Sequence, residues 1–138
     1  FPSEDGSVHL IDFPFVPEGW KDAALADKWV RVREIRREVT KVLETQRAAG
    51  VIGASLQAAP VLHLPAAQRG LLSAEDWTEL CIVSDLALAE GEEVSVAFRP
   101  APGSKCDRCW RVLPEVGASP AHPTLCRRCE AVVEAQGG

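Results

Sequence analysis

The sequence predicts an α+β protein with one long helix, a small three-stranded α/β layer and a C-terminal cysteine-rich module. Three observations support this. Apolar residues recur with helical spacing over residues 22–49, short strand-like apolar runs lie between residues 51 and 103, and two C-x2-C pairs lie between residues 105 and 130. With 46% hydrophobic and 25% charged residues, the composition is that of an ordinary globular protein.

Residues 1–20 are predicted to form an extended arm, clearest at Ser7–Pro14. Its aromatic residues Phe13, Phe15 and Trp20 are expected to lie on an apolar surface. His9 offers a ligand or a base, but a lone histidine in such an arm is more often structural.

The long helix is predicted from Asp22 to Ala49, with Asp22 near its N-terminus and Gly50 ending it. Its apolar residues recur every three or four positions and form one stripe. The members are Leu25, Trp29, Val32, Ile35, Val39, Val42 and Leu43. A helix of this length is expected to pack in a bundle.

Away from that stripe, Arg33, Arg37 and Lys41 form a row at i, i+4 and i+8. One interpretation is a solvated face whose cations pair with nearby glutamates. The other is a track that contacts the phosphates of a nucleic acid. Spacing alone favours the solvated face. The glutamates at pairing distance are Glu34, Glu38 and Glu44.

Residues 51–103 are predicted to form a small layer of three strands with helices on one face. The strands are expected at residues 60–64, 81–88 and 93–98, the last two joined through residues 90–92. A capping-box pattern at Ser73 predicts a short helix through Leu80 with Trp77 and Leu80 facing inward. Cys81, flanked by apolar residues, is interpreted as an inert buried thiol.

The four cysteines of the C-terminal module have the spacing of a zinc site. Cys106 and Cys109 form one C-x2-C pair, and Cys126 and Cys129 form the other. Two such turns facing each other supply the four sulfurs of a tetrahedral zinc ion. Two disulfides or a redox C-x-x-C motif are the alternatives, and both are disfavoured by spacing and context. His122 is expected to be a bystander, since four cysteines complete the site.

Three domains are predicted: an arm and long helix (1–50), an α/β junction (51–103) and a zinc module (104–138). The zinc module has too few residues to build a core alone, so the metal is expected to supply much of its folding free energy.

The absence of Met predicts that the chain is part of a longer protein. Four cysteines in metal spacing, with no secretory signal or membrane-length apolar run, predict reducing cytosol.

The formal net charge is −5, and residues 71–100 carry seven acids against Arg99 alone. This is not the basic excess of a protein that binds nucleic acid by charge alone. Any contact with nucleic acid must therefore be local and assisted by a neighbouring domain.

The order of several short motifs resembles the C-terminal end of bacterial isoleucyl-tRNA synthetases. The resemblance covers most of the chain, and only its zinc pattern is specific by itself. The motifs are S-V-H-L-x-D-F-P at Ser7–Pro14, W-x-x-V-R-x-x-R-x-x-V-x-K-x-L-E-x-x-R at Trp29–Arg47, I-G-x-S-L-x-A at Ile52–Ala58, I-V-S at Ile82–Ser84, K-C-x-R-C-W at Lys105–Trp110 and L-C-x-R-C at Leu125–Cys129.

The resemblance implies a tRNA-binding tail of a class I synthetase, in which a helical bundle, an α/β junction and one structural zinc module hold the anticodon arm of isoleucine tRNA. The ATP-using catalytic domain and the editing domain would lie upstream in a cytoplasmic, monomeric enzyme. The chain has neither H-I-G-H nor K-M-S-K-S, so no catalytic residue is assigned. This zinc finger is shared with formamidopyrimidine-DNA glycosylases, but their catalytic N-terminus is absent and Glu130 replaces their usual Gln.

The candidate RNA-binding residues flank the two cysteine pairs. Trp110 either stacks an unpaired base or caps the core of the module, and the resemblance favours stacking. The flanking arginines either hold phosphates or simply solubilise the module. The full candidate set is Arg108, Trp110, Arg111, Arg127 and Arg128, with Arg33, Arg37 and Lys41 on the helix. A DNA-binding zinc ribbon of a repair enzyme and a zinc-stabilised protein-interaction module remain as alternative functions.

Overall fold

The computed structural model describes residue 9 and residues 12–137, and it has the predicted α+β architecture. The helices are α1 (Ala23–Ala48), α2 (Ala66–Arg69), α3 (Ala74–Cys81) and α4 (Arg127–Ala135). The strands are β1 (Val61–Leu64), β2 (Ala87–Glu90), β3 (Ser95–Ala97), β4 (Ser104–Lys105) and β5 (Val112–Leu113). Short 3-10 turns form at Glu18–Trp20 and Ser55–Gln57. No helix in the described part of the chain is long and apolar enough to cross a membrane.

The long helix α1 begins and ends where the sequence predicts. The Asp22 carboxylate accepts a hydrogen bond from the Leu25 amide at 2.9 Å, satisfying a free N–H of the first turn. Gly50 follows the helix with φ of +72°, a conformation that glycine adopts without strain. The central part of the apolar stripe is buried, whereas Leu25 and Trp29 at its N-terminal end are 48% and 37% exposed. The buried members are Val32, Ile35, Val39 and Leu43.

The three-stranded sheet has the order β2-β1-β3, with β1 parallel to β2 and antiparallel to β3. Leu62 on the central strand is therefore paired with Leu88 on one side and Val96 on the other. Leu62 and Leu64 are fully buried, and they join Trp77 and the stripe of α1 in one core. The Ser73–Asp76 capping box opens α3 as predicted, and Trp77 is fully buried.

The strand predicted at residues 81–88 is wrong in its extent. Cys81 ends α3, and Ile82 takes a left-handed conformation with φ of 55°, so the strand begins only at Ala87. The amide of Val83 turns back to the carbonyl of Thr78 at 3.2 Å. Backbone capping of α3 thus overrides the strand preference of these β-branched residues. The strands β2 and β3 do not pair with each other, because β1 lies between them.

The aromatic residues of the N-terminal arm do not lie on an apolar surface formed by the described residues. Phe13 is 100% exposed, Phe15 is 85% exposed and Trp20 is 76% exposed. Half of the predicted extended segment at 7–14, namely residues 7, 8, 10 and 11, falls outside the described residues. His9 is described and is exposed.

The C-terminal module consists of the β4–β5 hairpin followed by α4. Its buried cluster is made of Cys106, Cys126 and Cys129, with Cys109, Leu113, Val116 and Leu125 packed against it. An apolar core this small supports the expectation that the module depends on a metal for stability.

Candidate metal centre and nucleic-acid surface

Each cysteine pair lies where a backbone turn aims two sulfurs at one point. In the hairpin, the amide of Cys106 donates to the carbonyl of Arg111 at 2.9 Å, and the amide of Trp110 donates back to the carbonyl of Cys106 at 2.8 Å. These bonds close the turn that carries Cys106 and Cys109. Cys126 is the N-cap of α4 and Cys129 lies in its first turn. The second pair therefore depends on where this helix starts.

The four Sγ atoms lie within 4.8 Å of one another, and those of Cys109 and Cys126 are 3.7 Å apart. Zn–S bonds of about 2.3 Å in a tetrahedron place sulfurs roughly 3.8 Å apart. A disulfide would require about 2.05 Å, and all five cysteines are free. The sulfur geometry therefore fits one tetrahedral metal ion, and among the described residues no other cluster of histidine, cysteine or acidic side chains does so.

The environment of the sulfurs also suits a metal. Burial acts to raise the pKa of Cys106, but hydrogen bonds from the amides of Cys109, Cys126 and Arg108 lower it to about 6. The amide of Cys126 lies 3.4 Å from this sulfur. Burial raises the pKa of Cys126, and hydrogen bonds with the neighbouring cysteine sulfurs raise it further. A bound metal would stabilise both as thiolates.

Two other candidate ligands lie apart from the cluster, as the sequence predicts. His122 is half-buried and is not part of the four-sulfur group. Cys81 is buried at the end of α3, and burial raises its pKa to about 11. Its thiol therefore stays protonated near neutral pH.

Trp110 projects from the hairpin into solvent. Its side chain is 61% exposed and its backbone has φ of 68°. A bulky residue rarely adopts this left-handed conformation, which is best suited to glycine. The ammonium of Lys105 lies 5.2 Å from the centre of the indole ring, within range of a cation–π interaction. Neither burial nor backbone preference accounts for tryptophan at this position, which disfavours its role as a cap on the core.

The four arginines of the module have different surroundings. Arg108 donates to the sulfur of Cys129 at 3.8 Å. A hydrogen bond to the sulfur of Cys109 raises the pKa of Arg128. Arg111 reaches out of the module and donates to the carbonyl of Ser84 from both Nε and an Nη. The side chain of Arg127 is exposed and its amide donates to Glu115 at 3.1 Å.

The cationic row on α1 is exposed along its length. Lys41 lies 3.9 Å from Glu38, and both side chains are largely solvated. In the part of the chain that the structure describes, no acidic side chain forms an ion pair with Arg33 or Arg37. Part of the row is thus paired as a solvated face would be, and two cations remain available.

Lys105 is a candidate that sequence reasoning did not single out. It precedes the first cysteine, and the hairpin pairs it with Val112 on the opposite strand. The sequence did contain a signal for this residue: Lys105 directly precedes the first cysteine pair, and that pair is followed by the aromatic Trp110.

Comparison with known proteins supports the resemblance. Residues 103–132 match the family described as "Zinc finger found in FPG and IleRS". Over 137 residues, the chain is 46% identical to the isoleucine–tRNA ligase of Gluconobacter oxydans, covering 96% of this chain and 14% of that protein. The corresponding ligase of Ruegeria pomeroyi is 44% identical over 96% of this chain and 15% of its own length. That of Geobacter sulfurreducens is 42% identical over 94% of this chain and 16% of its own length.

The chain is a homologue of the C-terminal part of isoleucine–tRNA ligases. This confirms the family that the motifs predict, and residues 103–132 carry the family's zinc finger. The chain spans about one seventh of the first of these relatives, 14% of its length. The relatives' names state an activity that belongs to a much longer protein.

Proposed function

We propose that this chain is the tRNA-binding C-terminal part of an isoleucine–tRNA ligase, an enzyme that uses ATP to charge tRNA with isoleucine. The observation that carries the proposal is identity of 46% to such a ligase over 96% of the chain. The similarity extends through α1 and the α/β junction as well as the zinc finger. A zinc ribbon of a DNA-repair enzyme would share the finger alone.

In this proposal, one zinc ion bound by Cys106, Cys109, Cys126 and Cys129 has a structural role. The support is the fit of the sulfur separations to a tetrahedral ion and the small size of the module's own core. With four sulfur ligands the ion has no open position for a substrate. Its function is to hold the hairpin and α4 in fixed positions.

Contact with tRNA is proposed to centre on Trp110, with phosphate contacts from nearby cations. An exposed indole on a rigid turn offers a flat surface on which an unpaired base can stack. Arg127 is exposed within the second cysteine pair, and Arg33 and Arg37 are exposed on α1, so these three cations are free to contact phosphates. The contribution of Arg108, Arg111 and Arg128 is expected to be smaller, because their guanidinium groups have partners within the protein.

The division into an arm and long helix (1–50), a junction (51–103) and a zinc module (104–138) is part of the same proposal. The catalytic and editing domains would precede this chain, and ATP would bind there. The complete protein is proposed to act as a monomer in the cytoplasm, with isoleucine tRNA as its partner.

The test is to introduce Trp110→Ala into the complete ligase and to measure two reactions. Isoleucine-dependent pyrophosphate exchange should be unchanged, because adenylate formation belongs to the upstream domain. Charging at limiting tRNA should fall about 5- to 150-fold, which corresponds to about 1–3 kcal/mol of base stacking. Zinc content is measured in both proteins to show that the module is intact.

Trp110→Phe is the matched control, since it keeps an aromatic face and should retain most of the charging activity. Binding of duplex DNA and of an unrelated RNA is measured alongside. If Trp110→Ala charges tRNA normally, or if duplex DNA binds as tightly as tRNA, the proposal is wrong.

A further inference from the structure

A groove lies between the zinc module and the α/β junction, beside the exposed indole. Its volume is about 270 Å³, the space of about nine water molecules. One wall comes from the hairpin and the other from the 3-10 turn at Ser55–Gln57. The side chains that the argument uses are Lys105, Trp110 and Val112 on the hairpin, and Leu56 and Gln57 on the turn.

The hairpin wall is fixed in position. Lys105 and Val112 are paired across the two strands, and the amide of Val112 donates to Ser84 Oγ at 2.7 Å. The Trp110 turn is closed by its own backbone bond to Cys106. The groove therefore has a rigid aromatic edge with a cation at its rim.

The opposite wall carries a side-chain amide whose orientation is determined by the backbone. Gln57 Oε1 accepts hydrogen bonds from the amides of Gly53 at 2.6 Å and Ala54 at 3.1 Å. Because both neighbours are N–H donors, the atom facing them must be the oxygen, and the NH2 group occupies the other position. The carbonyl of Gln57 accepts from the amide of Ala101 at 2.8 Å, which fixes the residue at its main chain too. No other group among the described residues forms a hydrogen bond with that NH2 group.

We propose that this groove is a subsite for one unpaired RNA base, which lies against Trp110 and accepts a hydrogen bond from the side-chain NH2 of Gln57. The inference rests on the proposed function and adds to it a specificity-determining residue. The groove combines a flat π surface, apolar side chains from both walls (Leu56 and Val112) and one donor group whose orientation is set by the backbone. A cation at the rim matches the charge of the adjoining phosphate.

The direction of the hydrogen bond defines the class of base. A fixed N–H donor selects a base edge that presents a carbonyl oxygen or an unprotonated ring nitrogen, and it rejects an edge that presents only a donor. Stacking alone accepts any base. The groove is thus expected to discriminate at one loop position, whereas Trp110 by itself would bind without preference.

The experiment uses the complete ligase and its tRNA, with Gln57→Glu as the test variant. This substitution keeps one oxygen for the amides of Gly53 and Ala54, so the turn is preserved, but it replaces the free NH2 by a second acceptor. Dissociation constants are measured for wild-type and Gln57→Glu protein with intact tRNA and with tRNAs that lack one loop base each. Removal of the recognised base should weaken wild-type binding at least tenfold.

In Gln57→Glu protein, removal of that same base should weaken tRNA binding little further. The effects of the substitution and of the missing base are then not additive, as expected if the two groups contact each other. The new negative charge alone would weaken all of the tRNAs by the same factor and leave every base effect intact, and that result would overturn the inference. If Trp110→Ala still impairs charging in that case, the proposed function stands without this subsite. If neither variant affects tRNA binding, both proposals fail.

Discussion

The guanidinium group of Arg111 donates two hydrogen bonds to the carbonyl of Ser84, from Nε at 3.2 Å and from Nη2 at 2.5 Å. Ser84 is fully buried, and its hydroxyl donates to the carbonyl of Leu56 while it accepts from the amide of Val112. One residue of the α/β junction thus contacts both the 3-10 turn and the hairpin of the zinc module. The two units are connected by a specific polar contact as well as by the linker at residues 100–103.

Ser84→Ala should therefore destabilise the attachment of the zinc module. It leaves the half-buried amide of Val112 without its partner, at a cost of about 1–3 kcal/mol. Urea denaturation of the zinc-loaded protein measures the loss. Ser95→Ala on exposed β3 is the control and should change the free energy of unfolding by less than about 0.5 kcal/mol. Equal effects of the two substitutions would contradict this role of Ser84.

Zinc binding should depend on the four clustered cysteines and not on the fifth. Cys126→Ser should lose its zinc during purification, because it removes one of four thiolates. Cys81→Ala should retain one zinc per chain, since Cys81 lies outside the cluster and is protonated near neutral pH. Metal analysis after gel filtration distinguishes the two. Loss of zinc from Cys81→Ala, or full retention by Cys126→Ser, would mean that the ligand set is wrong.

Gly103 should tolerate no side chain. Its φ is +100°, and an added Cβ would collide with the carbonyl oxygen of Leu113. Gly103→Ala is expected to displace β5 from β4 and to destabilise the module by several kcal/mol, about 1–3 of them from the backbone conformation alone. Gly70→Ala is the matched control, since nothing lies within 4 Å of a Cβ there and φ is −84°. Thermal denaturation of both variants with zinc present should separate them clearly.

Cys81 should make the protein less stable at high pH. Burial raises its pKa from 9.0 to about 11 in the folded protein. The unfolded chain therefore loses this proton first, and stability that is fully present below pH 9 is lost between pH 9 and 11. Over that pH range the loss is about 2 kcal/mol. Cys81→Ala should reduce the difference in unfolding free energy between pH 8.5 and 10.5 by that amount, and an unchanged difference would contradict the buried-thiol assignment.

The sequence was sufficient where one local pattern determines the structure. The Asp22 cap, the apolar stripe and Gly50 predict α1, and cysteine spacing predicts the metal centre. It was insufficient where long-range packing decides. The run after Cys81 has strand composition, yet the capping of α3 turns Ile82 into a left-handed residue. Similarly, spacing places Arg111 among the RNA-binding candidates, but only the fold brings its guanidinium group to Ser84, far away in sequence.

The arginines of the second cysteine pair should separate into one that binds RNA and one that supports the metal. Arg127 is exposed, and its loss in Arg127→Gln should lower the salt dependence of tRNA binding by about one unit of slope, with zinc affinity unchanged. The nearby sulfur of Cys109 raises the pKa of the Arg128 guanidinium, by hydrogen bonding and by its charge. Arg128→Gln should therefore weaken zinc binding about 10- to 100-fold, as expected for loss of a hydrogen bond to a metal ligand.

The measurements are tRNA binding over a range of salt concentrations and competition for zinc against a chelator, performed on both variants of the complete ligase. Each variant serves as the control for the other, because the two substitutions remove the same charge from adjacent positions. If the two residues act only through net charge, both variants will lower the salt slope equally and neither will change zinc affinity. Opposite responses in the two assays would show that the neighbouring arginines contact different partners, since both are exposed but only Arg128 is influenced by the Cys109 sulfur.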